Sequence, residues 1–165
     1  MSDNVFFPGA RRIAVVSDSH HDRSMLEALA RELRGVQGIL HLGDNVPDAG
    51  YLRELTGLPM YNVRGNVELA PGGALELQGR LGSAEGPRFL ACHGHRWDVK
   101  NGLYSLYYHA LEAECPLAFY GHTHIAHELR EDRVRLLNPG ALRDGRYLLF
   151  TIATQEAEFR TVREG

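Results

Sequence analysis

Five short polar clusters, each closing an apolar run of strand length, constrain this chain more than any other feature. Asp18-Ser19-His20 follows residues 12–17 (RIAVVS), Gly43-Asp44 follows 38–42 (GILHL), and Gly65-Asn66 follows 59–63 (PMYNV). His93-Gly94-His95 follows residues 88–92, and Gly121-His122-Thr123-His124 follows 117–120. Short apolar, β-branched runs bounded by turn residues read as buried strands. Between the first three lie helical patterns. Residues 23–34 carry Met25, Leu26, Leu29, Ala30 and Leu33 on one face, with Asp22 as N-cap and Gly35 as the stop. A shorter helix is expected over 49–56. Strand–helix–strand order implies right-handed crossovers and a parallel sheet. The C-terminal edge of such a sheet is where ligands bind, and every cluster is expected there.

The second half changes rhythm. Residues 74–77 and 88–92 read as strands, 102–114 as an amphipathic helix through Leu103, Leu106, Tyr107, Ala110 and Leu111, and 117–120 as another buried strand. Runs at 126–130, 134–137, 147–152 and 156–162, broken by turn residues including Asn138-Pro139-Gly140, predict an antiparallel meander. No linker, repeat or low-complexity stretch divides the chain. The expectation is one α/β domain over residues 1–165, built as two packed sheets or one strongly bent sheet with helices outside.

The clusters are rich in metal-ligand chemistry. Nine histidines are present, and most stand beside glycine or aspartate in short groups. Asp18 and His20 are two residues apart, as are His122 and His124, so in extended segments each pair would point the same way and could serve one ion. Glycine permits close backbone approach and positive φ in the tight turns. Oxygen and imidazole donors without thiolate suit Mn, Fe, Zn or Ni rather than a structural zinc or iron–sulfur site. Asp18, His20, Asp44, Asn66, His93, His122 and His124 are too many ligands for one ion. Two ions about 3.5–4 Å apart, bridged by Asp44 as the middle carboxylate, would use them all.

The ordered series D-x-H, GD, GN, HGH, GHTH resembles the calcineurin-like metallophosphoesterase superfamily, and the short length resembles its small bacterial and archaeal phosphodiesterase branch. The resemblance runs from Ile13 to Gly140 and includes the Asn138-Pro139-Gly140 turn. It implies a four-layer α/β/β/α sandwich with mixed sheets. By motif position it assigns one divalent ion to Asp18, His20, Asp44 and His124, and a second to Asp44, Asn66, His93 and His122. Mn²⁺ is the first choice, with Ni²⁺, Fe²⁺ or Zn²⁺ compatible. In the family a hydroxide bridging the two ions attacks phosphorus in line. Many members carry histidine after GN as the acid for the leaving group; Val67 stands there in this chain, followed by Glu68. That departure favours small phosphodiesters and activated esters over monoesters. It leaves His21 and His95 as candidates for a replacement acid or a phosphate contact. Arg64 and Lys100 are further loop cations beside the clusters, and Tyr104, Tyr107 and Tyr108 either wall the site or pack on the core.

Composition narrows the partners. A formal charge of -3 and a pI near 6.3 give no nucleic-acid signal. No apolar run approaches the roughly 18–20 residues of a membrane span, and the first residues lack the order of a signal peptide. Cys92 and Cys115 form neither a CxxC pair nor a disulfide framework, which fits a reducing cytoplasmic setting. A homo-oligomer is compatible with all of this. The reading from another class is a non-catalytic scaffold or binding module on the same fold, of which the retromer scaffold subunit is the example. Eroded ligand positions would favour it, and all seven match here.

Overall fold

Four of the five apolar runs are buried on both faces, which is why they read as continuous rather than alternating; the run at 59–63 is only half-buried. In the computed structural model, which describes residues 3–20, 22–44, 46–65 and 74–163, eleven strands form two sheets. The strands are β1 (Val5–Phe6), β2 (Arg12–Val16), β3 (Ile39–His41), β4 (Met60–Asn62), β5 (Glu76–Leu81), β6 (Arg88–Cys92), β7 (Leu117–Phe119), β8 (His127–Glu131), β9 (Val134–Asn138), β10 (Arg146–Thr151) and β11 (Glu156–Thr161). The helices are α1 (Arg23–Glu32), α2 (Val46–Thr56) and α3 (Tyr104–Glu112), with single 3₁₀ turns at His95–Trp97 and Leu142–Asp144. One sheet runs β1-β5-β6-β7-β9-β8 and the other β11-β10-β2-β3-β4.

Alternate residues of one strand enter different cores. Ile13 and Val15 of β2 meet Phe89 and Ala91 of β6 between the sheets, together with Leu117, Phe119, Leu148 and Phe150. Their neighbours Ala14 and Val16 face outward onto Leu26 and Leu29 of α1 and Leu52 of α2. Leu90 and Ala118 likewise face Leu106, Tyr107 and Ala110 of α3. Helix, sheet, sheet, helix is therefore the layer order, as the four-layer expectation requires.

Boundaries moved in informative ways. Asp22 does cap α1, accepting from the Met25 amide at 3.0 Å. The helix stops at Glu32, short of the expected Arg34, with Leu33 at its C-cap and Gly35 turning the chain at φ +71°. Helix α2 begins at Val46, three residues before the expected start. The strand expected over 74–77 is displaced. Ala74 makes only an isolated bridge to Val63, and β5 runs Glu76–Leu81.

The antiparallel meander forms as two hairpins, β8–β9 and β10–β11, but they lie in different sheets. β7 pairs parallel with both β6 and β9, and β10–β11 leave that sheet to join β2 of the other. β10 is buried on both faces from Tyr147 to Phe150: Leu148 and Phe150 pack between the sheets, Tyr147 and Leu149 pack under the helices, and its edges pair with β2 and β11. β11 and β8, largely exposed, take the edges. Strands β2, β3 and β4 are mutually parallel, as are β6 and β7, so their C-terminal ends carry the polar clusters.

Candidate metal centre

Backbone hydrogen bonds tie the loops at neighbouring strand ends to one another. The Asp18 amide donates to the Gly43 carbonyl at 3.0 Å, the Gly121 amide to the His93 carbonyl at 2.9 Å, and the Leu142 amide to the Ser17 carbonyl at 2.7 Å. Two glycines make these approaches possible. A Cβ on Gly121 would lie 2.1 Å from Ser17 Oγ, and one on Gly65 would lie 2.0 Å from Asp44 Oδ1. Asp18, His20, Asp44, His122 and His124 all adopt left-handed backbone, with φ between 52° and 71°. Each such residue costs about 1–2 kcal/mol relative to ordinary backbone. Half of the ten non-glycine positive-φ residues described are thus candidate ligands. The expectation that the two-apart pairs lie in extended segments is therefore wrong. Tight left-handed turns, not pleated alternation, direct these side chains.

Asp18, His20, Asp44 and His124 each offer a ligand atom within 4.8 Å of the others. Asp18 and Asp44 form a buried floor, while His20 and His124 stand at a partly open mouth. Asp18 Oδ2 is occupied: it accepts from Ser17 Oγ at 2.6 Å and from the His122 amide at 3.1 Å. Its other oxygen, Oδ1, is buried without a hydrogen-bond partner, 3.2 Å from His124 Nε2 and 3.8 Å from His20 Nε2. His20 Nε2 is likewise buried and unpartnered. An unsatisfied buried carboxylate oxygen facing imidazole nitrogens is costly as it stands, and a divalent cation fits it. The donors are oxygen and nitrogen only. Cys92 turns away into the core under α3, where burial pushes its thiol pKa far up.

The second group sits beside the first. His93 is fully buried, and its Nδ1–H donates to the Leu42 carbonyl at 2.8 Å. That bond leaves Nε2 aimed at Asp44 Oδ2, 3.4 Å away, and at His122 Nδ1, 3.2 Å away. Asp44 Oδ2 also lies 4.0 Å from His20 Nε2, between the two groups. His122 and His124, which spacing alone allowed on one ion, separate: His124 joins Asp18 and His122 joins His93. Burial opposes a proton on His93, yet the Asp44 and Asp18 carboxylates outweigh it and raise the pKa. Burial and the neighbouring His93 push His122 down to about 4.

The same family domain that these clusters resemble, the calcineurin-like phosphoesterase superfamily domain, matches residues 12–157. The chain belongs to the calcineurin-like phosphoesterase superfamily. YsnB of Bacillus subtilis strain 168, a probable metallophosphoesterase, is 30% identical over 156 residues, covering 92% of this chain and 88% of its own. A crystal structure of a conserved uncharacterized protein and predicted phosphoesterase from Streptococcus pneumoniae TIGR4 superposes with TM-score 0.75 at 29% identity, over 94% of both chains. An archaeal phosphodiesterase shares the fold at TM-score 0.73 and 16% identity, over 91% of this chain and 99% of its own.

Several residues of this chain do work that spacing did not announce. Asn138, in the Asn-Pro-Gly turn, is buried. It donates to the Gly121 carbonyl at 3.2 Å and Thr123 Oγ1 at 2.9 Å, and its Oδ1 accepts from the Gly140 amide. It thereby holds the loop that carries His122 and His124. His95 borders the site, with its ring 5.5 Å from His93 and 6.2 Å from His122 and a buried, unpartnered Nδ1. Burial and His93 lower its pKa. Lys100 and Arg64 act electrostatically on His122 and His95 respectively. Asn66, Val67 and His21 lie outside the described residues. The tyrosines divide: Tyr107 packs in the core, while Tyr104 and Tyr108 are exposed on α3. Trp97 stacks on His109 at 4.0 Å, and His109 Nε2 bonds Glu76 at 2.8 Å, so both brace α3. No described helix is long and apolar enough to cross a membrane.

Proposed function

We propose that this protein is a metal-dependent phosphodiesterase using two divalent ions. Asp18, His20, Asp44 and His124 would hold one, and Asp44, Asn66, His93 and His122 the other, with Mn²⁺ as the first ion to test. The observation that carries the reading is the buried, unpartnered Asp18 Oδ1 facing His124 and His20. Bound divalent ions supply Lewis acidity toward phosphoryl oxygens and lower the pKa of water toward neutrality. The chain's own groups prepare that chemistry. The Leu42 carbonyl fixes the His93 tautomer, Ser17 and the His122 amide orient the Asp18 carboxylate, and Asn138 holds the histidine loop. His95, whose ring lies 6.2 Å from that of His122, would be the acid or phosphate contact of this site. Arg64 and Lys100 draw an anionic ester toward the mouth. Val67 at the position after Asn66 points to a diester or activated ester, whose leaving group needs less protonation.

Left-handed backbone at five candidate ligands supports a retained ligand site. Strain of that kind persists where a site requires it. The test is hydrolysis of bis-p-nitrophenyl phosphate and of p-nitrophenyl phosphate by metal-stripped protein. Mn²⁺, Ni²⁺, Zn²⁺ and Mg²⁺ are restored singly, with Asp44→Asn alongside. Metal-restored turnover that prefers the diester and disappears in Asp44→Asn is expected. Turnover preferring the monoester would remove the leaving-group reasoning. Bound metal without turnover of either ester would remove the enzyme.

A further inference from the structure

Behind the ligand floor lies a second polar chain that no ligand assignment uses. Ser19, His41 and Asp48 are all buried, at 1%, 0% and 5% exposure. They come from three elements: the loop after β2, the last residue of β3, and the first turn of α2. The Gly43 amide can only donate, and it lies 3.1 Å from His41 Nδ1, so Nδ1 is the acceptor. The His41 proton is therefore on Nε2, 3.1 Å from Ser19 Oγ. The Ser19 hydroxyl in turn donates to Asp48 Oδ2 at 2.5 Å. Every donor and acceptor in the sequence Gly43 N–H, His41, Ser19, Asp48 runs in one direction. The Asp48 charge at its end sits in the opening turn of α2, where the helix dipole favours it.

The ends of this chain matter. Ser19 lies between Asp18 and His20, and Gly43 immediately precedes Asp44. We propose that Ser19, His41 and Asp48 are positioning residues that clamp the Asp18–His20 loop to the Gly43–Asp44 turn, setting the two carboxylates as one unit for metal. Nothing apolar could do this, since a hydrophobic filling of equal volume would pack the space without fixing the rotation of either loop. A fully satisfied buried network specifies one arrangement, and a partly satisfied one is costly. Groups that orient metal ligands in this way typically carry about 10–100-fold in affinity.

The inference rests on the metal reading, so the experiment separates the two. Full-length protein, stripped of metal, is titrated with Co²⁺ and Mn²⁺ by calorimetry, and the visible absorption of the Co²⁺ form is recorded. Wild type, Ser19→Ala, His41→Asn, the double variant, Asp48→Asn and Asp48→Ala are compared, with near-ultraviolet circular dichroism to confirm native packing. Ser19→Ala and His41→Asn are each expected to weaken Co²⁺ by about 10–100-fold and to shift its spectrum. The double variant should lose no more than the weaker-binding single, because one chain is cut twice. Asp48→Asn keeps an oxygen acceptor for Ser19 and should lose less than Asp48→Ala. Wild-type affinity and spectrum in folded Ser19→Ala and His41→Asn would overturn the clamp while leaving the metal reading intact, as would strictly additive losses in the double variant. Failure of wild type to bind either ion would overturn the metal reading and the clamp with it.

Discussion

Replacing Asp18 by asparagine should make the metal-free protein more stable and the metal-loaded protein less so. Asp18 Oδ2 already has two donors, whereas Oδ1 is buried with none and faces the Nε2 atoms of His124 and His20. Asparagine can keep its carbonyl toward Ser17 and the His122 amide, and its NH₂ then takes the Oδ1 position, where it can donate to His124. Relief of one buried, unsatisfied charged oxygen is worth about 1–3 kcal/mol, and asparagine tolerates the left-handed backbone at least as well as aspartate. At this chain length about 2 kcal/mol corresponds to roughly 4–8 °C in melting temperature. With metal at about 100 times its Kd, wild type gains about 2.7 kcal/mol from binding that the variant forgoes. The two melting curves should therefore exchange order between EDTA and Mn²⁺ in differential scanning calorimetry. The pH supplies a further check. His93 has a folded pKa raised above its unfolded value, so its contribution to stability is present below about pH 6.5 and lost as pH rises through the folded value. Above that point Asp18 and Asp44 face each other without the imidazolium, and the advantage of Asp18→Asn should grow. A variant that melts below wild type in EDTA at pH 8 would refute the reasoning, since Oδ1 would then be satisfied in the apo protein.

His122 predicts the opposite pH slope. Its folded pKa of about 4 lies below the unfolded value, so the stability it contributes is complete above about pH 6.5 and declines as pH falls toward 4. Chemical denaturation of metal-free His122→Asn should show a shallower loss over that window than wild type, and equal slopes would count against the assignment. Gly121→Ala places a methyl 2.1 Å from Ser17 Oγ, which must shift together with Asp18, so a loss of about 1–3 kcal/mol is expected in urea titrations. Phe119→Ala empties a fully buried position between Phe89 and Phe150, and about 3–5 kcal/mol should be lost in the same assay. Cys92 should resist thiol reagents in the native protein, because it is buried and its thiol pKa is raised; modification before unfolding would contradict its placement.

Two kinds of information were legible along the chain. Continuous apolar runs such as RIAVV and RFLAC announced strands covered on both faces, because each strand feeds two cores, and the ligand residues stood at their C-terminal ends. Ligand chemistry was equally visible, since aspartate, asparagine and histidine beside glycine report what an ion can take. Three things were not. The partner sheet of β10 depends on which surface can cover its second face, a property of the assembled layers rather than of the run itself. The division of His122 from His124 depends on left-handed turns at both residues, which only long-range contacts such as the Asn138 bonds can hold against their intrinsic cost. Ser19, His41 and Asp48 are unremarkable in sequence because a directed hydrogen-bond chain exists only once three separate elements meet. Local propensity and residue chemistry determined the strands and the donor atoms; the close approach of two sheet edges decided which donors face the same point in space.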